Sequence, residues 1–249
     1  MAGHSHSKNV AVRKGKQDAK RAKIFTKVAR GIIAACKAGM PDPAHNPSLR
    51  AAIRKALAEN ITRDKIEETI KRAIGAGNTE HYDEMRYEGN GPGGVSVIVE
   101  ALTDNRNRTA SDVRAAFTKF GGNLGETGSV SFMFDKVGLI TYPLAKATEE
   151  AMLSAAIEAG ADNCETDKTE HIITASPDSF GTVRAALEKQ LGEPSSAKIS
   201  WEPKSGTAVN EEQAQALLKL IDVLEDNDDV QEVFANYEIA DDILERLTA

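Results

Sequence analysis

Val137-Gly138-Leu139-Ile140-Thr141-Tyr142 opens the stretch whose order of elements decides the fold. Its β-branched and aromatic residues read as a strand. A helix follows over 149–159, then strands over 163–167 and 171–175, a helix over 179–191 and a strand over 197–203. That order, βαββαβ, is a complete ferredoxin-like unit. Working outward, Val95, Val97 and Val99 alternate in a strand that runs to Leu102. Thr109-Ala110-Ser111-Asp112 has capping-box form and opens a helix carrying Val113, Phe117 and Phe120, with a further strand over 129–134. Past 203 come a short strand over 206–209, a helix over 210–224 and a last strand over 230–237. These outer pieces make nearly a second βαββαβ. The expectation is one ferredoxin-like domain (136–205) inserted into another (80–135 plus 206–249).

Residues 1–79 read differently. After Asp18 a helix runs for about twenty residues to the break at Gly39-Met40-Pro41. Asn46 is placed to cap a second helix with Pro47 at its first position, and Leu49, Ile53 and Leu57 form its apolar stripe. Thr62 caps a third, with Ile61 and Ile66 spaced as a hydrophobic staple and Ile70 and Ile74 continuing the stripe. The fold class is therefore α+β: an N-terminal three-helix domain followed by the two ferredoxin-like α/β domains. Residues 1–16 have no core pattern and are expected to be a mobile basic arm.

Charge separates the same regions. Residues 1–79 hold 17 Lys and Arg against 6 Asp and Glu, which leaves 14 against 32 for residues 80–249. The formal net charge of −7 hides this dipole. An anionic partner for the basic end is the direct implication, with nucleic acid the leading candidate. Lys16, Lys20, Lys23, Lys27, Arg30 and Lys37 recur at steps of three and four, with Ala34 filling the one gap. They fall in one sector of the first helix and form a cationic stripe about 30 Å long. Phe25, Val28, Ala29, Ile32 and Cys36 occupy the opposite sector. That apolar face is small and aliphatic, which disfavours a membrane-surface helix.

Other motifs carry less. Gly89-Asn90-Gly91-Pro92-Gly93-Gly94 matches G-x-G-x-x-G but precedes a strand, so it reads as a turn and not as a dinucleotide site. Asp104-Asn105-Arg106-Asn107-Arg108-Thr109 joins a strand to a helix. Two readings stand for it: a phosphate grip by Arg106 and Arg108, or a polar loop whose Asn and Thr cap the helix. With Met1 removed, Ala2-Gly3-His4 has the donors of a copper or nickel site, an arrangement that is usually incidental. No catalytic residue, metal site or cofactor is expected, because His45, His81 and His171 are scattered with no triad or cage spacing. Cys36 and Cys164, far apart, suggest reduced thiols of a cytoplasmic protein. Glu225-Asp226-Asn227-Asp228-Asp229 reads as a solvated turn that would repel nucleic acid and so orient the basic end towards it.

Several phrases resemble one family. They are Ala2-Gly3-His4-Ser5, Asp42-Pro43 with Asn46-Pro47-Ser48-Leu49-Arg50, Tyr87-Glu88-Gly89 with Gly91-Pro92-Gly93-Gly94, the run from Glu100 to Thr109, and Gly121-Gly122-Asn123-Leu124-Gly125 through Gly128-Ser129-Val130. The chain resembles the YebC/PmpR proteins, bacterial relatives of the mitochondrial translational activator of cytochrome oxidase. The resemblance implies a cytoplasmic, three-domain, non-enzymatic protein. It also implies one of two roles: a DNA-binding transcriptional regulator, or a translation factor whose basic N-terminal domain contacts large-subunit ribosomal RNA and helps elongation through stretches such as consecutive prolines. The chain departs from the family pattern at His6-Ser7, where an aromatic residue is usual, at Gly39-Met40-Pro41, and at Asn60-Ile61-Thr62-Arg63-Asp64-Lys65.

The functional expectation is a non-catalytic regulator of gene expression. Lys8, Arg13, Lys14, Lys16, Lys20, Lys23, Lys27 and Arg30 would neutralise phosphates, with Arg106 and Arg108 as a second site. The lysine-rich stripe suits backbone contact more than base reading, which leans towards ribosomal RNA over DNA. A protein-interaction adaptor with an incidental basic arm stays open, and oligomeric state is not readable.

Overall fold

The computed structural model describes residues 21–248. The expected arm over 1–16, with Lys8, Arg13, Lys14, Lys16, the amino-terminal histidines and also Lys20, lies outside the described residues. The chain divides into two compact units: residues 134–204, and a unit in which the described residues up to Met133 join those from Ser205 onward.

The second unit begins with three helices, α1 (Arg21–Ala38), α2 (Pro47–Ala58) and α3 (Arg63–Ile74). Val28, Ile32, Ile33 and Cys36 of α1 meet Leu49, Ala56, Ile66 and Ala73 in a shared core. Asn46 does two jobs. Its Oδ1 accepts from the Leu49 N–H at 3.0 Å to cap α2, while its Nδ2 donates to the carbonyls of Ala35 and Met40, both at 2.8 Å. The α1–α2 turn is thereby fixed by one side chain. Thr62 sits at the N-cap of α3 without a side-chain capping bond, so Ile61 and Ile66, both in the core, set that entry. Leu57 and Ile74, the last members of the two stripes, are exposed.

The same unit continues as β1 (Asp83–Asn90), β2 (Ser96–Thr103), α4 (Arg106–Lys119) and β3 (Asn123–Leu124). β1 was not expected, and it pairs antiparallel with β2 along its whole length. The glycine-rich segment is the hairpin turn between them, with Gly93 and Gly94 at φ 74° and 75°, a conformation that favours glycine. The expected strand over 129–134 is instead a 3-10 turn at Ser131–Met133. The buried Glu88 holds that turn, its Oε2 accepting from the backbone N–H groups of Val130 at 3.0 Å and Ser131 at 2.9 Å. Burial raises the Glu88 pKa, but these N–H groups and that of Gly128 outweigh it and leave the carboxyl below its usual range.

In the 134–204 unit, β4 (Phe134–Pro143), α5 (Glu149–Ala159), β5 (Asn163–Thr166), β6 (Glu170–Ala175), α6 (Phe180–Leu191) and β7 (Ser196–Pro203) follow in order. The sheet is antiparallel with strand order β5-β6-β4-β7, the ferredoxin-like arrangement. Ile140, Tyr142, Met152, Ile173, Val183 and Leu187 form its core. The buried Tyr142 hydroxyl donates to the Gly192 carbonyl at 3.0 Å, and burial pushes its pKa up to about 12. His171 is also structural. Its Nε2 lies 3.1 Å from the Ala147 carbonyl and its Nδ1 2.8 Å from the Thr166 hydroxyl, so both ring nitrogens have partners within the unit.

The chain then completes the other unit with β8 (Thr207–Val209), α7 (Glu211–Asp226), β9 (Val230–Ala235), β10 (Tyr237–Ile239) and α8 (Asp241–Thr248). β9 joins the first sheet, giving the order β3-β1-β2-β9, and β8 pairs parallel with β10. Val97, Val99, Val113, Phe117, Leu217, Leu220, Leu224 and Val233 lie in one core, with α4 and α7 on the same face of the sheet. α7 opens with a full capping box between Asn210 and Gln213. α1 packs against β2.

Candidate nucleic-acid interface

Three described members of the lysine-rich stripe, Lys23, Lys27 and Arg30, point at one place in the unit they share with α7. Lys23 Nζ donates to the Asp226 carbonyl at 3.2 Å and lies 3.8 Å from its carboxylate. Lys27 Nζ donates to the Glu225 carbonyl at 2.5 Å. Arg30 Nη1 donates to Asp229 Oδ1 and its guanidinium stands over the Tyr82 ring, 5.4 Å from the centroid. Lys55 of α2 adds a pair with Glu232 at 3.1 Å. The segment 225–229, expected to be a solvated turn, is thus the counter-charge of the basic helix, and Glu232 just beyond it serves α2.

Asp229 is the centre of the arrangement. Its side chain is 4 % exposed. Oδ2 accepts from Thr109 Oγ1 at 2.6 Å and from Arg108 Nη2 at 2.8 Å. Thr103 Oγ1 stands 3.4 Å from Oδ2 and 2.7 Å from Thr109 Oγ1. The Asp229 carbonyl accepts from the Leu102 N–H at 2.8 Å, and its own N–H donates to Asn227 Oδ1 at 2.8 Å. Burial pushes the Asp229 pKa up. The hydrogen bonds from Thr109, Arg108 and Arg30 outweigh it and hold the carboxyl below its ordinary value. One carboxylate therefore joins α1, the end of β2, the first turns of α4 and the start of β9.

The loop over 104–109 differs from its sequence reading. α4 starts at Arg106, three residues ahead of Thr109, and its N-cap is Asn105, which accepts from the Arg108 N–H at 3.1 Å. Thr109 lies inside the helix, fully buried. Arg106 Nε pairs with Asp83 at 2.8 Å, and Arg108 pairs with both Asp104, at 2.7 Å, and Asp229. Asp83 is drawn below the usual carboxylate range by Arg106, whose own pKa rises in return, and that of Arg108 rises through its bonds to Asp229 and Asp104. Of the stripe, Lys37 is separate and donates to the Asn78 carbonyl at 2.9 Å. Asp229, Thr103 and Thr109 went unread as interface residues. The signal that could have exposed them is chemical: an aspartate directly before the buried Val230 needs partners, and a basic helix supplies them.

Among the described residues no group of three or more His, Cys, Asp or Glu side chains is placed to hold a metal ion, and no described helix is long and apolar enough to cross a membrane.

Residues 5–76 match the family model described as the TACO1/YebC protein N-terminal domain, and residues 82–237 match that of the TACO1/YebC second and third domain. The chain belongs to the TACO1/YebC family. A crystal structure of a conserved hypothetical protein from Aquifex aeolicus is similar at 45% identity with a TM-score of 0.81, covering 92% of this chain and 94% of that one. The TACO1/YebC family is one of regulator type. Lys23, Lys27 and Arg30 lie in the region matching the N-terminal domain, and the acidic 225–232 segment in the region matching the second and third domain.

Proposed function

We propose that this chain is a non-catalytic, nucleic-acid-binding regulator that acts in the cytoplasm on ribosomal RNA during elongation. The observation that carries the reading is the charge segregation: 17 Lys and Arg against 6 Asp and Glu over the first 79 residues, with the lysines at helical spacing. Lys8, Arg13, Lys14, Lys16 and Lys20 would lead the phosphate contacts, continued by Lys23 and Lys27 on the helix that Arg30 anchors to Asp229, with Arg106 and Arg108 as a second site. Lysine neutralises phosphate without reading base edges, which suits a structured RNA backbone. A second reading, a DNA-binding transcriptional regulator, is favoured by the regulator character of the family. A third, a protein adaptor, would leave the basic segment without a function.

Crosslinking in cells that express the chain, with sequencing of the attached nucleic acid, separates these readings. The control carries Lys16→Glu, Lys20→Glu, Lys23→Glu and Lys27→Glu. Recovery of large-subunit ribosomal RNA that is lost in the control supports the translation role. Discrete promoter DNA without ribosomal enrichment replaces it with transcription. An unchanged cellular function in the control points to the adaptor.

A further inference from the structure

The last turn of α7 presents a local electrostatic conflict. The carbonyls at a helix C-terminus lack intrahelical partners and carry partial negative charge, so cations belong there. α7 has no basic residue in its last turn and instead ends on Glu225 and Asp226. The missing cations come from another element: Lys23 meets the Asp226 carbonyl and carboxylate, and Lys27 meets the Glu225 carbonyl. Converging carbonyl and carboxylate oxygens offer a lysine ammonium what a phosphate diester offers it, closely spaced anionic acceptors.

We propose that the C-terminal turn of α7 is an autoinhibitory phosphate mimic, which occupies Lys23 and Lys27 and must be displaced when a nucleic-acid backbone binds that face. The inference rests on the nucleic-acid reading above and adds regulation to it. The two kinds of contact at this junction divide the labour. Lys23 and Asp226 are 49 % and 45 % exposed at the side chain, so their pair is open to solvent and to competing anions. Arg30 and Asp229 are 15 % and 4 % exposed, and Asp229 is bound also by Thr109 and Arg108. Arg30 is the pin that keeps α1 in place, while Lys23 and Lys27 exchange partners around it. A nucleic acid then gains two cations without undocking the helix.

The test uses the full chain and a fluorescein-labelled RNA hairpin, read by fluorescence anisotropy. Asp226→Ala is expected to tighten binding about threefold to fivefold, the scale on which one exposed pair competes. Asp178→Ala, an exposed carboxylate of the 134–204 unit, removes the same charge elsewhere and is expected to change affinity much less. In a Lys23→Ala, Lys27→Ala background the gain from Asp226→Ala should vanish, as coupling through those lysines requires. Equal gains from Asp226→Ala and Asp178→Ala, or a gain that persists in the double-alanine background, overturn the mimic. If Asp226→Ala changes nothing while the double alanine weakens binding, the mimic is wrong and the nucleic-acid reading stands. If the double alanine leaves binding intact, these lysines are not part of the binding face and both fail there. Thermal melts of each variant confirm that α7 remains folded.

Discussion

Arg30 donates to Asp229 across 199 positions of sequence, and this one ion pair fastens the basic helix α1 to the first turns of α4 and the start of β9. The acceptor is buried and has four side-chain partners within reach, Arg30, Arg108, Thr109 and Thr103. A buried pair of this kind is weak evidence of net stabilisation against an apolar replacement, but removing one partner strands the others.

Asp229→Ala should therefore cost about 3–5 kcal/mol, since Arg30, Arg108 and two buried hydroxyls lose their common acceptor. Chemical denaturation of the variant measures the loss. A cost below about 1 kcal/mol would mean that water or a neighbouring carboxylate replaces Asp229.

The same carboxylate predicts an acid response. Because its native pKa lies below the unfolded value, Asp229 contributes stability that is fully present above about pH 4, the ordinary carboxylate value. That contribution is lost as pH falls through the depressed native value. Asp229→Asn should be less stable at neutral pH and should show a flatter decline in acid than the parent. Parallel pH–stability curves would contradict the assignment.

Thr109→Val keeps the shape of the side chain and removes its hydroxyl, which reaches Asp229 at 2.6 Å and Thr103 at 2.7 Å. About 1–3 kcal/mol of stability should go with it. Thr118→Val, in the last turns of α4 and exposed, is the comparison and should fall within about 0.5 kcal/mol of the parent.

Gly138 faces the Phe180 ring so closely that an added Cβ would overlap it. Gly138→Ala should destabilise the 134–204 unit by about 1–3 kcal/mol through overpacking. Hydrogen exchange should show the loss concentrated in β4, β6 and β7, with α1–α3 unaffected.

On the proposed function, binding to duplex DNA that engages about six phosphates should weaken with salt at a log–log slope near −5. The corresponding slope for single-stranded RNA is near −4. A salt-insensitive complex would remove phosphate contact as its basis.

Much of the architecture is legible in the residues because its signals are local. Asn46-Pro47 marks a helix start by the chemistry of two adjacent side chains, and the ferredoxin-like order over 137–203 follows from strand and helix periodicities. β1 escaped for a physical reason. Asp83-Glu84-Met85-Arg86-Tyr87-Glu88-Gly89-Asn90 sends Met85, Tyr87 and Gly89 to one side, and only two of those are apolar side chains. Gly89 is needed where it is, because a Cβ there would meet the Asn123 carbonyl and, at 2.9 Å, the Phe117 ring. The start of α4 was misplaced because Thr109, a good cap by type, spends its hydroxyl inside the fold. The junction of α1 with 225–232 was illegible because its partners lie about 200 positions apart, and like charges in a run read as solvated until an opposite run is brought to them.

The long separation has a consequence for how the chain is born. The α1–α3 core draws only on residues between Ile24 and Tyr82, so it can form as soon as that segment leaves the ribosome. Its anionic counterpart is synthesised only later, after the entire 134–204 unit. Throughout that interval the nascent helix carries Lys23, Lys27 and Arg30 with nothing from 225–232 to meet them, beside a ribosome whose own surface is polyanionic RNA. Emergence of the 225–232 segment is the event that gives the three cations an internal address.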